Sequence, residues 1–344
     1  MMKFLKPNKI INSSMINMHI MMWLTIIFMI YSSSWFNAWL SMEMNLMSFI
    51  PLMMNNSKNK ISNSMMMYFI IQASSSSMMM MMIILMKMNM YLNKMMIINM
   101  IIQISLMMKM GAAPLHWWMP KMMNNLSWMN CLILMTLQKI GPMYLISTTN
   151  NTTIMYMFSL MSTYIGSIVG MNQTSIKLIM MYSSLSHMGW MIMSLMMSLN
   201  LMFIYFLIYS LITLMITMLM NNMKFNYLND LFKNNSSESI FKKMMSMSLL
   251  LSISGLPPFL GFLPKIITLI FMMKNMFYME MILFIMMSML SLWYYMNPLM
   301  SMFLTMKINS KWNKNNKYLY KMMMTIMLIN MMPSMFITNF LLNM

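Results

Sequence analysis

The sequence predicts an all-α polytopic membrane protein of about 11 transmembrane helices, two of them broken, arranged as inverted repeats. Three observations carry that prediction. Hydrophobic residues fill 60% of the 344 positions and charged residues only 8%, a balance that leaves too little polar surface for a water-soluble chain. Apolar stretches of about 20 residues, the length a helix needs to cross a hydrocarbon core, recur from one end of the chain to the other. The few ionisable residues inside those stretches sit beside clusters of proline and glycine.

Residues 10–31 form the first stretch. The segment before it, MMKFLKPNK, is basic, but no small-residue cleavage site ends the apolar run, so it is expected to remain as a span and the chain to be made beside its membrane. Stretches 35–54 and 63–86 follow. The next, 91–113, is interrupted by Gly111 and Pro114. Proline removes a backbone donor and clashes with the preceding turn, so this helix should open just past Lys109 and be followed by a short helix carrying LHWWMP. Stretches 126–148, 152–170, 174–198 and 201–221 each read as one continuous span. Stretch 244–273 is broken by SGLPPFLGFLPK, residues 254–265, where Lys265 follows the break instead of preceding it. Stretches 276–304 and 322–342 complete the set. The longest polar intervals, 222–243 and 305–321, are too short for a soluble domain, which makes 1–344 a single membrane domain.

The chain has 22 lysines, no arginine, four acidic residues and a net charge of +18. If the helices alternate in direction, the loop lysines other than Lys87, Lys94 and Lys274 gather on the N-terminal side, which places the N-terminus inside. That charge meets anionic lipid headgroups and calls for no nucleic acid. Seventy-four methionines beside abundant Asn, Ile and Ser form the alphabet of an AT-rich mitochondrial gene with a second methionine codon. Clusters such as MMMMMIILM, residues 78–86, read as adaptable apolar filler.

Lys109, Lys139, Lys265 and Glu43 fall well inside apolar stretches. A charge at the middle of a membrane helix costs about 2.5–3.5 kcal/mol on insertion scales, so such residues face one another, water or a function; structural ion pairs and snorkelling lysines are the alternatives. The two broken helices are five apart and cross in opposite directions. Paired broken helices of that kind point to an inverted-repeat transport path, with repeats at 10–148 and 152–304 and an extra C-terminal helix at 322–342. His187, in SSLSHMGW, titrates near neutral pH and bridges the halves, or else is a hydrogen-bonded packing residue. His19 reads as structural. Asp230 and Glu238 read as solvated or at a subunit contact, and Glu280 as an interfacial residue or an outer mouth. Gly166 and Gly170 in YIGSIVG permit close helix packing, or share that spacing by coincidence.

There is no G-x-G-x-x-G. The single cysteine, Cys131, excludes an internal disulfide and a cysteine-ligated iron–sulfur cluster, and three scattered histidines give no metal-binding spacing. The chain is therefore expected to bind no cofactor and to carry no redox centre of its own.

The segments SWFNAWLSMEMNLMSFIP, KMGAAPLHWWMP, WMNCLILMTLQKIGP, GMNQTSIKLIMMYSSLSHMGWM and GLPPFLGFLPK, taken together and in order from about residue 32 to 300, resemble the subunit 2 family of mitochondrially encoded NADH dehydrogenase (ubiquinone). These are the antiporter-like membrane chains of respiratory complex I. The resemblance implies proton translocation across the mitochondrial inner membrane, driven by quinone reduction in other subunits. It matches Glu43, Lys109, Lys139 and Lys265 to the family's proton-transfer residues, with His116 and His187 in motifs of the same path. Where animal members often carry an acid after the histidine–tryptophan motif, this chain has Lys121. The resemblance further implies other membrane-arm subunits and inner-membrane lipids as partners, with NADH, FMN, iron–sulfur clusters and ubiquinone held in the assembled complex. The N-terminus would lie on the matrix side and the C-terminus on the intermembrane-space side. From the residues alone two other readings stay open: a free-standing cation/proton antiporter, and a non-pumping membrane scaffold whose buried charges are inert.

Overall fold

Inside a bilayer every backbone N–H and C=O needs an internal partner, and a helix supplies one for each. The computed structural model describes residues 13–54, 59–88, 92–149, 152–223, 225–228, 230 and 238–306, and among them it forms thirteen α-helices and no strand. Five segments are long and apolar enough to cross a membrane: Ser62–Lys87, Trp128–Ser147, Thr152–Gly170, Leu199–Met223 and Tyr278–Asn297. The chain is an all-helical membrane protein. The expected C-terminal helix at 322–342, and residues 10–12 of the first stretch, lie outside the described residues.

Helices α1 (Ser13–Ile30), α2 (Trp35–Met54), α3 (Asn59–Lys87) and α4 (Leu92–Met110) follow the first four stretches. α4 ends one residue past Lys109, where Gly111 adopts a left-handed φ of 69° and the Ala113–Pro114 peptide is cis. A β-carbon at Gly111 would sit 2.9 Å from the Met119 side chain, so the turn into the short α5 (Trp118–Asn125) needs glycine for both conformation and space.

Stretch 126–148 is not the continuous helix that its apolar pattern predicts. It divides into α6 (Trp128–Met135) and α7 (Leu137–Ser147) at Thr136, with φ −116° and ψ −76°. Pro142, inside α7, cannot donate a hydrogen bond to the preceding turn and crowds the Gln138 carbonyl. The Thr136 hydroxyl donates to the Leu132 carbonyl at 2.8 Å, a back-bond that bends helices. The Lys139 amide then bonds to Thr136 O, three residues back, at 3.0 Å.

The second half follows with α8 (Thr152–Met171), α9 (Ile176–Met197), α10 (Leu199–Met223), α11 (Glu238–Ser254), α12 (Phe262–Lys274) and α13 (Tyr278–Met306). A single extended residue, Ser198, joins α9 to α10. The break between α11 and α12 begins at Gly255, φ 82°. Small residues let α8 and α9 approach closely: a β-carbon at Gly166 would lie 2.6 Å from Ser186 N, and one at Gly189 would lie 2.5 Å from Ser162 Oγ. Gly166 is thus a packing glycine, whereas Gly170 faces the softer edge of the Tyr294 ring at 3.1 Å. Glu280, at the start of α13, accepts a hydrogen bond from Tyr156 OH at 2.9 Å and ties α13 to α8.

The buried apolar side chains form two clusters, and the helices pass from one to the other. Along α2 the change comes between Met42 and Leu46, along α3 between Ile71 and Met79, and along α9 between Leu185 and Met188. Between the two apolar layers lies a thin polar one, and the candidate residues other than His116 occupy it.

Candidate functional site

Glu43, Lys109, Lys139 and His187 fall near where their helix changes from one apolar cluster to the other, and Lys265 lies between Leu260, packed on the first cluster, and Leu269 and Met272 of the second. Lys139 is only 1% exposed, and Lys109, Lys265 and His187 are buried as well. Each ammonium has a neutral acceptor. Lys109 Nζ points at the Met42 sulfur, 3.7 Å away. Lys139 Nζ donates to Ser184 O of α9 at 3.4 Å, and Lys265 Nζ donates to Ser254 O at 2.8 Å. Ser254 is the last residue of α11, so Lys265 satisfies a carbonyl that the break sets free and places a cation at the negative end of a helix. Gly255 is required beside it: a β-carbon there would lie 2.9 Å from Lys265 Nζ.

The other break is closed from a neighbouring helix. Gln72 Nε2 of α3 donates to the Lys109 carbonyl at 3.2 Å. Glu43, on α2, is half-buried, and its Oε1 is shut from solvent without a hydrogen-bond partner.

Lys109 and Lys139 line one cavity of about 20 Å³ together with Asn45, Tyr68, Gln72 and Gln138, room for about one water molecule. From Lys139 the row continues through aromatic and imidazole groups. The ammonium lies over the Tyr209 ring, 5.4 Å from its centroid, and that ring is 5.3 Å from the His187 ring. His187 Nε2 lies 3.2 Å from Ile253 O and Nδ1 lies 2.9 Å from Tyr205 OH. A carbonyl only accepts, so Nε2 carries the hydrogen, and in the neutral ring Nδ1 accepts from the tyrosine. Ile253 precedes Ser254, the residue that holds Lys265. The two halves of the chain therefore meet through Lys139, Ser184, Tyr209 and His187.

His116 stands apart from this row. It lies in the turn between α4 and α5, half-exposed, with Nδ1 at 3.2 Å from Pro114 O. Lys121 is exposed, its ammonium 5.6 Å from the centre of the Trp117 ring. Asp230 caps a turn, its Oδ2 accepting from the Asn226 and Tyr227 amides. His19 is exposed on α1. Asn45, Gln72, Gln138, Tyr205 and Tyr209 belong to the polar layer but carry no formal charge. Reading the chain for buried charges passes over them, and the available signal was the placement of amides inside apolar runs.

A sequence model described as NADH:quinone oxidoreductase/Mrp antiporter, TM, matches residues 32–291. The NADH-ubiquinone oxidoreductase chain 2 of Anopheles gambiae is 38% identical over 307 residues, which cover 88% of this chain and 89% of that one. Among solved structures, a chain of respiratory complex I from Thermus thermophilus shares the fold with a TM-score of 0.80 at 14% identity, covering 93% of this chain and 78% of that one. A chain of the Mrp complex from Dietzia shares it with a TM-score of 0.76 at 13% identity; the match covers 83% of this chain and 60% of that longer one. By the extent of the sequence match and the identity to its relatives, the chain belongs to the NADH:quinone oxidoreductase/Mrp antiporter transmembrane family, alongside the proteins named NADH-ubiquinone oxidoreductase chain 2.

Proposed function

We propose that this chain is a proton-translocating membrane subunit of NADH:ubiquinone oxidoreductase in the mitochondrial inner membrane. Protons move along Glu43, Lys109, Lys139, His187 and Lys265, with His116 in a motif of the same path, and quinone reduction in other subunits supplies the energy. NADH, FMN, iron–sulfur clusters and ubiquinone are held by those partners. The reading draws on the family and on one observation above others: Lys109 and Lys139, from helices on either side of a break, line the same water-sized cavity. A water file completed across it would take a proton from one ammonium and pass one to the other amine.

In this reading the chain has eleven spans. α1 to α4, the α6–α7 pair, α8, α9, α10, the α11–α12 pair and α13 supply ten, and residues 322–342 the last. Segments 10–148 and 152–304 are the inverted repeats, supported by the two breaks and their lysines. The lysine-rich loops put the N-terminus on the matrix side and the C-terminus on the intermembrane-space side.

The test counts protons exported per electron in coupled membrane vesicles carrying Lys139→Met. The proposal expects a reduced ratio in an assembled complex. Assembly with the full ratio overturns it, as does ion exchange by the isolated chain with no complex-bound form.

A further inference from the structure

The cavity between Lys109 and Lys139 is walled by two amides that bind each other. Asn45 Nδ2, on α2, donates to Gln138 Oε1 at 3.1 Å, and Gln138 Nε2, on α7, donates back to Asn45 Oδ1 at 3.3 Å. Tyr68 OH adds a second, longer bond to Gln138 Oε1 at 3.5 Å, and the Gln138 amide nitrogen also faces the Met22 sulfur at 3.7 Å. A primary amide has two donor hydrogens and two acceptor lone pairs. Gln138 therefore has all four engaged by protein and none left for a water in the cavity, while Asn45 keeps one donor and one acceptor.

This arrangement has a consequence for proton movement. A proton passes along a file of water only if each member takes one on one side and gives one on the other. A carboxamide donates and accepts hydrogen bonds but holds no extra proton in the range where amines and carboxylates titrate. Two amides locked together are thus an insulating segment in the cavity wall. Gln138 lies in the first turn of α7, two residues past the Thr136 break and next to Lys139, so a movement of that turn displaces amide and ammonium together.

Building on the function proposed above, we propose that the Asn45–Gln138 amide pair is a valve between Lys109 and Lys139. It is closed while the two amides bind each other. It opens when the α7 turn draws Gln138 away and water takes the place of the amide partner. The proton carried is the substrate, and no other co-reactant is needed.

The test uses the whole complex reconstituted in liposomes, with two readouts: protons exported per electron, and the rate at which an established pH gradient decays once NADH is exhausted. Gln138→Ala opens the wall, so gradient decay should rise severalfold and the ratio should fall. Adding Lys139→Met should abolish the extra decay by cutting the same route. The exchanged pair Asn45→Gln with Gln138→Asn restores two facing amides and should recover tightness. A Gln138→Ala complex as tight and as well coupled as the parent overturns the valve, and so does a leak that survives Lys139→Met. If Gln138→Ala prevents assembly, Asn45→Ala breaks the same pair from α2 and is read by the same two outcomes. Lys139→Met alone separates the two ideas: a full proton ratio there removes the proposed function, whereas lost pumping beside a tight Gln138→Ala complex removes only the valve.

Discussion

The Lys139 ammonium lies 5.4 Å above the centre of the Tyr209 ring, and the same ring stands 5.3 Å from His187. One aromatic side chain from α10 thus lies against Lys139, a buried lysine of the first half, and the buried histidine of the second. Cation–π attraction at a desolvated site is worth about 2 kcal/mol. Tyr209→Phe keeps the ring and loses the hydroxyl contacts, a long one to Met135 O at 3.5 Å and one with the Ser184 side chain, so proton export should stay close to that of the parent. Tyr209→Leu removes the ring and should lower export clearly. Proton-to-electron ratios for the two variants check this, and equal effects would show that the ring itself does nothing.

Tyr205 fixes the other side of the imidazole. Tyr205→Phe leaves His187 Nδ1 buried without its donor, at a cost of about 1–3 kcal/mol. Thermal unfolding of the purified assembly should move to lower temperature, and proton export should slow. A variant with unchanged stability would mean that the ring turns to another partner.

Gly255→Ala tests whether the second break positions Lys265. Left-handed backbone costs a residue with a β-carbon about 1–2 kcal/mol, and the new methyl group would meet Lys265 Nζ at 2.9 Å. Both effects predict a lower melting temperature and a lower proton ratio. Lys265→Met keeps the glycine backbone and removes the charge, so it should lower the ratio, and it leaves the Ser254 carbonyl without its donor.

The α8–α9 contact gives a paired prediction. Gly166→Ala sets a methyl group 2.6 Å from a backbone nitrogen, whereas Gly170→Ala meets only the edge of a tyrosine ring at 3.1 Å. Overpacking against backbone costs about 1–3 kcal/mol, so the yield of assembled complex should fall for Gly166→Ala and change little for Gly170→Ala. Native electrophoresis with staining for NADH oxidation measures both.

Lys121 provides the contrast for all of these. It is exposed beside Trp117, and an exposed cation–π contact is worth about 0.5–1 kcal/mol. Lys121→Gln should leave proton export unchanged, and a loss as large as that of Lys139→Met would place Lys121 on the path.

Much of the site was legible in the sequence because charge is conspicuous in an apolar run. Lys109, Lys139, Lys265 and Glu43 stand out for that reason, and the Gly–Pro clusters near Lys109 and Lys265 announce both breaks. The division at Thr136 was not legible. Pro142 lies six residues further on, and a proline inside a membrane helix is usually absorbed as a kink, so its position alone does not mark a division at Thr136, where the hydroxyl back-bond to Leu132 adds to it. The Asn45–Gln138 pair was hidden for another reason. Its members are 93 residues apart, and asparagine is so abundant in this chain that one more carries no signal. His116 lies apart from the row: its hydrogen bond reaches only two residues back, whereas Lys109, Lys139, His187 and Lys265 are buried among the helices.

The thin polar layer between the two apolar clusters has an electrical consequence. Moving one elementary charge through a full membrane voltage costs about 2.3 kcal/mol per 100 mV, but that work is done only along the bilayer normal. From Lys109 to Lys265 the row crosses from helix to helix between the two apolar clusters, and in the reading proposed above that layer lies parallel to the bilayer plane. Under that reading, transfer along the row leaves the voltage term unchanged, and the transmembrane potential acts on the legs that lead into the row and out of it.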